Sequence, residues 1–197
     1  SQHSILDRKT LYDTIPNDLL PFDFEACFRN PMKFEMVTTN CRTGKACYLT
    51  EDQDPQRLLD VAKASSSLPY VCPIVWIDGE PMLDGGIVDS IPVVRAIETG
   101  HKRNVVVLTR NRGYRENTRD IKIPKYIYRK YPRLRVLLSK RHAIYNAQLD
   151  LIERMEDEGS IIAIRPLRPV EVGRLESNVD KLTALYNEGY ECARRAF

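Results

Sequence analysis

At 197 residues, 43% of them apolar and 29% charged, the chain is long enough for one sizeable core and too mixed in composition to be fibrous or disordered. No apolar run approaches the ~20 residues that a membrane-spanning helix requires, since the longest are strand-sized. The formal charge of +3 hides an asymmetry: between His101 and Arg141 fourteen Lys or Arg face two acids, Glu116 and Asp120, which leaves 16 against 25, a net of −9, elsewhere. A stretch of one sign attracts phosphate-bearing surfaces, nucleic acid or anionic lipid, and serves equally as a solvated helix face. Five cysteines, Cys27, Cys41, Cys47, Cys72 and Cys192, form no CxxC pair and are odd in number. A reducing, cytoplasmic location is therefore expected, without a disulfide framework or zinc cluster.

In chain order, weak helical segments are expected around Leu11 and over Phe22 to Phe28. Lys33 to Thr39 alternates and is β-rich, and Ala46 to Thr50 answers it across Gly44, which predicts a hairpin. Asp54 sits at an N-cap position, Pro55 fits the first helical turn, and Leu58, Leu59, Ala62 and Ala64 supply an apolar face, so a helix runs to Ser65-Ser66-Ser67. The acidic cluster Glu51 to Asp54 belongs to this cap rather than to a metal site, because the spacing of a calcium loop is missing. Val71 to Ile77 reads as a strand. Pro92 opens a short helix closed by Gly100, and Asn104 to Thr109 follows as a buried, parallel strand.

A polar loop spans Arg110 to Asp120, helical segments cover Tyr126 to Tyr131 and Leu134 to Glu158, and Ser160 to Ile164 is one more strand. The last helix is signalled by a capping box at Ser177 and Asp180, with Leu182, Leu185, Tyr186, Tyr190 and Ala193 on one face. Alternation of strands and helices predicts an α/β layered fold.

The stretch Trp76 to Val94 holds two Asp-Gly dipeptides, and their surroundings differ. Asp78-Gly79 separates two short apolar runs, where two central residues of positive φ make a tight hairpin turn. Asp84 ends a strand and is followed by two glycines and a helix, which no hairpin explains. Either Asp84 is a cap beside a bulge, or it is a working carboxylate at the end of a sheet strand with Gly85 and Gly86 leaving room beside it.

The run from Ala64-Ser-Ser-Ser-Leu-Pro69 through a hairpin to Met82-Leu-Asp84-Gly-Gly-Ile-Val-Asp-Ser-Ile-Pro92 resembles the catalytic-aspartate block of patatin-like phospholipases, closest to a bacterial subgroup because Asp89-Ser90 stands where many members carry Asn. The Thr39 to Lys45 turn resembles the strand and Thr-Gly turn that precede that block. The resemblance implies a three-layer α/β/α fold and a serine–aspartate dyad without histidine, cofactor or metal, acting on the acyl ester of a lipid. Asp84 is then the aspartate, with Gly85 and Gly86 shaping its loop. His3, His101 and His142 stand by no plausible nucleophile.

No serine has glycine at both minus two and plus two, so the Gly-x-Ser-x-Gly elbow is not among these residues. The expectation is that residues 1–197 form the C-terminal part of a single patatin-like domain with an incomplete central sheet. Either the nucleophile lies in an upstream segment or the chain is a shortened, inactive relative, and the intact Asp84 favours the first. Alone, the chain is expected to be inactive and to self-associate or exchange strands through its open sheet. Two other classes are weighed. One is an inactive protein held on anionic membrane by the 101–141 region. The other, a weaker reading, is a nucleic-acid module using Tyr114, Tyr126, Tyr128 and Tyr131, which lacks any accompanying signature.

Overall fold

The computed structural model describes residues 7–117, 122–173 and 176–197; Ser1, His3, Ser4 and the end of the 110–120 loop lie outside them. The chain forms two compact units, Ser1–Ser90 with Asp120–Arg141, and Ile91–Arg119 with His142–Phe197. Among the described residues no helix is long and apolar enough to cross a membrane, and all five cysteines are free thiols.

The first unit is built on a four-stranded antiparallel sheet. Its strands are β1 (Met36–Asn40), β2 (Ala46–Leu49), β3 (Val75–Ile77) and β4 (Glu80–Asp84), in the order β2-β1-β4-β3. The predicted hairpin forms with Thr39 opposite Ala46. Asn40 closes its loop, its side-chain oxygen accepting from the Arg42 and Thr43 amides at 2.9 and 3.0 Å. Met82 and Leu83 are neighbours on β4 and point to opposite faces, as strand pleating requires. Met82 joins a core with Leu58, Val61 and Ala64 of helix α2 (Pro55–Ser65), while Leu83 joins Cys41, Ile87, Leu134 and Leu138. Leu134 and Leu138 lie in the opening turns of helix α4 (Pro132–Asp157), so helices cover both faces of this sheet and the layered α/β expectation is met.

Local chemistry explains most element ends. Asp54 caps α2, accepting from the Gln56 and Arg57 amides. A π-helical segment, Thr10–Leu19, and helix α1 (Phe24–Arg29) fall where weak helices are expected. Two expectations fail for one reason. The strand expected from Val71 begins only at Val75, and residues 126–131 form turns rather than a helix. Tyr70 and Tyr128 both take positive φ, at 69° and 51°; the Tyr128 hydroxyl accepts from the Tyr70 amide at 2.9 Å and the rings pack 5.8 Å apart. This contact, 58 residues apart in sequence, overrides the local pattern in both segments.

The second unit pairs β5 (Asn104–Val107) with β6 (Ile161–Ile164) in parallel, and helix α3 (Val93–Glu98) precedes β5. Its core joins Ile91, Val93, Val106, Leu108 and Ile161 to Leu149 and Ile152 of α4. The parallel pairing is as expected; the full burial of β5 is not, because Val105 and Val107 face outward, the latter 72% exposed. Gly159, at a φ of 67°, ends α4 before β6. Helix α5 (Val179–Ala196) packs on β6 and is capped by Asn178, which accepts from the Lys181 amide, one residue later than the expected Ser177.

Arg112 and Arg115 are bound to acids of α4. Arg112 bonds Glu156 and both oxygens of Asp157, and Arg115 bonds Asp150 and Glu153. Two of the basic residues after β5 are therefore matched within the fold. The Arg115 hydrogen bond, ahead of the Gly113 amide, holds the Glu153 carboxyl down to about 2.

Gly85 fixes the spacing between β1 and the turn after β4: a Cβ placed there would lie 2.4 Å from the Val37 carbonyl oxygen. Gly85→Ala is expected to destabilise the protein by roughly 1–3 kcal/mol in urea unfolding. Gly173→Ala, whose Cβ would meet nothing within 4 Å, is expected to change stability by less than about 0.5 kcal/mol. A depressed carboxyl pKa stabilises the fold above the unfolded value of ~4.3, and that contribution is lost as pH falls toward the folded value. Glu153→Gln should therefore cost about 1–2 kcal/mol at neutral pH, with screening by solvent taken into account, and should flatten the loss of stability between about pH 4.5 and 2. Glu51, held to about 2 chiefly by the Asp54 and Gln53 amides and then by Arg57, titrates in the same window, so part of the acid sensitivity remains.

Candidate functional site: the Asp84 loop

Asp84 is the last residue of β4 and lies opposite Thr38 of β1. Its main chain is fixed on both sides. The Asp84 amide donates to the Ser67 carbonyl at 3.0 Å, and the Thr39 hydroxyl donates to the Asp84 carbonyl at 2.8 Å. Both partners are fully buried, so neither bond competes with water. Ser67, at the end of α2, is held in turn by the buried Arg8, whose Nη2 donates to its hydroxyl at 3.0 Å and to the Lys63 carbonyl at 3.2 Å. Neither the Arg8 bonds nor the Ser67 bond is visible in the sequence, because they link residues 17 to 59 positions apart.

The chain then turns through a short 3-10 segment, Gly85–Ile87. The Gly86 amide donates to Oδ1 of Asp84 at 2.7 Å, and a Cβ on Gly86 would stand 3.0 Å from that oxygen. The two glycines thus have separate reasons: Gly85 lets the backbone pass under Val37, and Gly86 lets an amide reach the carboxylate. The Gly86 carbonyl accepts from the Ser90 hydroxyl at 2.8 Å and from Nε of Arg141 at 3.0 Å. Asp89 accepts from the Tyr48 hydroxyl at 2.6 Å, which ties the loop to β2. Asp84 itself is half-buried. A half-buried carboxylate fixed at backbone and side chain can take a proton from a hydroxyl placed beside it.

Asp78 contrasts with it. Asp78 and Gly79 both have positive φ, 52° and 75°, in a two-residue turn between β3 and β4, as the Asp-Gly pair predicts. Its carboxylate is bound by Nε and Nη2 of Arg57 at 3.4 and 2.6 Å, and that pairing lowers its pKa. Asp78 is a structural turn residue.

Of the residues expected at the site, Asp84, Gly85 and Gly86 stand together as one loop. Asp89, from the same block, joins them, as do Tyr48 and Arg141 unannounced; Arg141 counts in the sequence only as one more cation of the basic stretch. One premise needs correction. The rule that sites form at the carboxyl ends of strands belongs to open parallel sheets, whereas β4 lies between antiparallel neighbours. Asp84 owes its place to the β1 register and the glycine turn instead. Among the described residues no group of three or more His, Cys, Asp or Glu is arranged to hold a metal ion.

Two family models match the chain. A domain of unknown function, DUF6363, matches residues 131–197, covering α4, β6 and α5. No curated protein matches the chain. The patatin-like phospholipase model matches residues 1–97 and so takes in the whole sheet of the first unit, the Asp84 loop and all but the last residue of α3. Over residues 1–97, just under half of the chain, the sequence matches the patatin-like phospholipase family, a family of lipid hydrolases.

Proposed function

We propose that Asp84 is the proton acceptor of a serine–aspartate acyl hydrolase acting on a lipid ester, with the serine supplied by a Gly-x-Ser-x-Gly segment outside these residues. The observation that carries this reading is the Gly86 amide, 2.7 Å from Oδ1 of Asp84, on a loop whose backbone is bonded on both sides. A carboxylate with a pKa of ~3.9 is a weak base toward an alcohol, so it acts only through a direct, well-aimed hydrogen bond. An orienting amide on one oxygen provides that aim.

In the proposed reaction the serine oxygen attacks the ester carbonyl carbon while Asp84 takes the serine proton. Collapse of the tetrahedral intermediate breaks the bond to the alcohol, which leaves with the proton returned from Asp84. Water then attacks the acyl-serine, giving its proton to Asp84, and the acid departs as the serine is reprotonated. Ser90 and Arg141 act as positioning residues, since both hold the Gly86 carbonyl and with it the amide that orients Asp84.

The test is hydrolysis of a short-chain acyl ester by protein made from the complete reading frame. Asp84→Asn is expected to lower kcat by about 10²–10⁴ and Asp78→Asn to leave it within a few-fold of wild type. Retained turnover in Asp84→Asn would sink the assignment. The 197-residue chain alone is expected to show no turnover, and an Asp84-dependent rate from it would place the nucleophile within these residues.

A further inference from the structure

The second unit contains a cavity of about 340 Å³ at the carboxyl ends of its two parallel strands, between them and α5. Its size falls within the range of small-molecule sites, and it stands where open parallel sheets bind ligands. The wall is largely aliphatic, formed by residues such as Leu108, Ile164, Val172 and Leu185.

Three observations show that the space is not filled by the protein's own needs. Gly189 lines the cavity from the middle of α5, where glycine costs about 1 kcal/mol relative to alanine. A Cβ on Gly189 would meet nothing within 4 Å, so no neighbouring residue requires its absence. Arg165, also in the wall, is over nine-tenths buried; its terminal nitrogens face Glu153 and Glu156, yet its Nε has no hydrogen-bond partner. A buried donor left unmatched is uncommon. Arg110 completes the wall, stacked over the Tyr114 ring at 4.8 Å and with no carboxylate in ion-pair reach among the described residues. The single acid in the wall, Glu188, accepts from the Leu167 amide at 3.1 Å.

We propose that this cavity binds an unbranched aliphatic chain ending in a carboxylate, as in a free fatty acid, with the tail against Leu108, Ile164 and Leu185 and the carboxylate at Arg110. Apolar wall and cation are matched by one amphiphile: the tail removes aliphatic surface from water, and the head meets the charge that the protein leaves unmatched. The assignment does not depend on the role of Asp84, and its test involves no hydrolysis.

The test is calorimetric titration of the full chain with decanoate, decanol and decyltrimethylammonium, each below its aggregation threshold. Decanoate is expected to bind one site, at least about tenfold more tightly than decanol, with the cation failing to bind. Octanoate should bind more weakly by about three- to fourfold per methylene removed. Arg110→Gln should weaken decanoate at least about tenfold. Gly189→Leu, which fills the cavity and improves helix propensity, should abolish binding without lowering the thermal midpoint. Equal affinity for decanoate and the cation or decanol, no decanoate binding by the wild type, or decanoate binding unchanged in both variants would each overturn the proposal.

Discussion

The approach of Gly85 to Val37 is the constraint on which the first unit depends. The register of β1 against β4 places Thr38 opposite Asp84, and the next residue must pass where a side chain would strike the Val37 carbonyl. That same carbonyl accepts from the Ser65 hydroxyl at 2.7 Å, so the end of α2 is tied to the same point of β1. Strand register, helix end and the position of a carboxylate are thereby one problem with one solution. Close packing transmits any shift at this point, because interiors have little free volume to absorb it.

The carboxylates of the fold divide by what holds them. Asp78 is gripped by two nitrogens of Arg57, and Glu153 by Arg115. Such pairs offset charge with charge and leave little basicity to use. The amide of Gly86 donates to an oxygen of Asp84. The two Asp-Gly dipeptides thus differ in the contacts on their carboxylates, a guanidinium on Asp78 and a main-chain amide on Asp84, although their sequences begin alike.

What was legible in the sequence was what short-range chemistry decides. The Asp54 cap, the hairpin across Gly44, the Asp78-Gly79 turn and the stop at Gly159 each follow from a residue acting within a few positions of itself. What was hidden was set by distant partners. Tyr70 and Tyr128 hold each other in conformations that neither segment would adopt alone, and so erase a strand start and a helix. Asp84 and its glycines could be picked out, yet the residues that fix them, Thr39, Ser67, Ser90 and Arg141, carry no mark of that role. In the second unit the alternation of β5 was masked by its uniform valines, because a run that is apolar on both faces does not say which face meets solvent.

Cys41 gives the molecule a property of another kind. Its thiol is wholly enclosed in the core with Leu83 and Leu134, and burial pushes its pKa up to about 12. Thiols react as thiolates, so this sulfur is chemically silent while the fold is closed. Cys192, half-buried in the wall of the cavity, belongs to the other unit. Alkylation followed in time at Cys41 therefore reads the opening of the first unit, with a native sulfur serving as the clock, whereas the partly accessible Cys192 reacts without it.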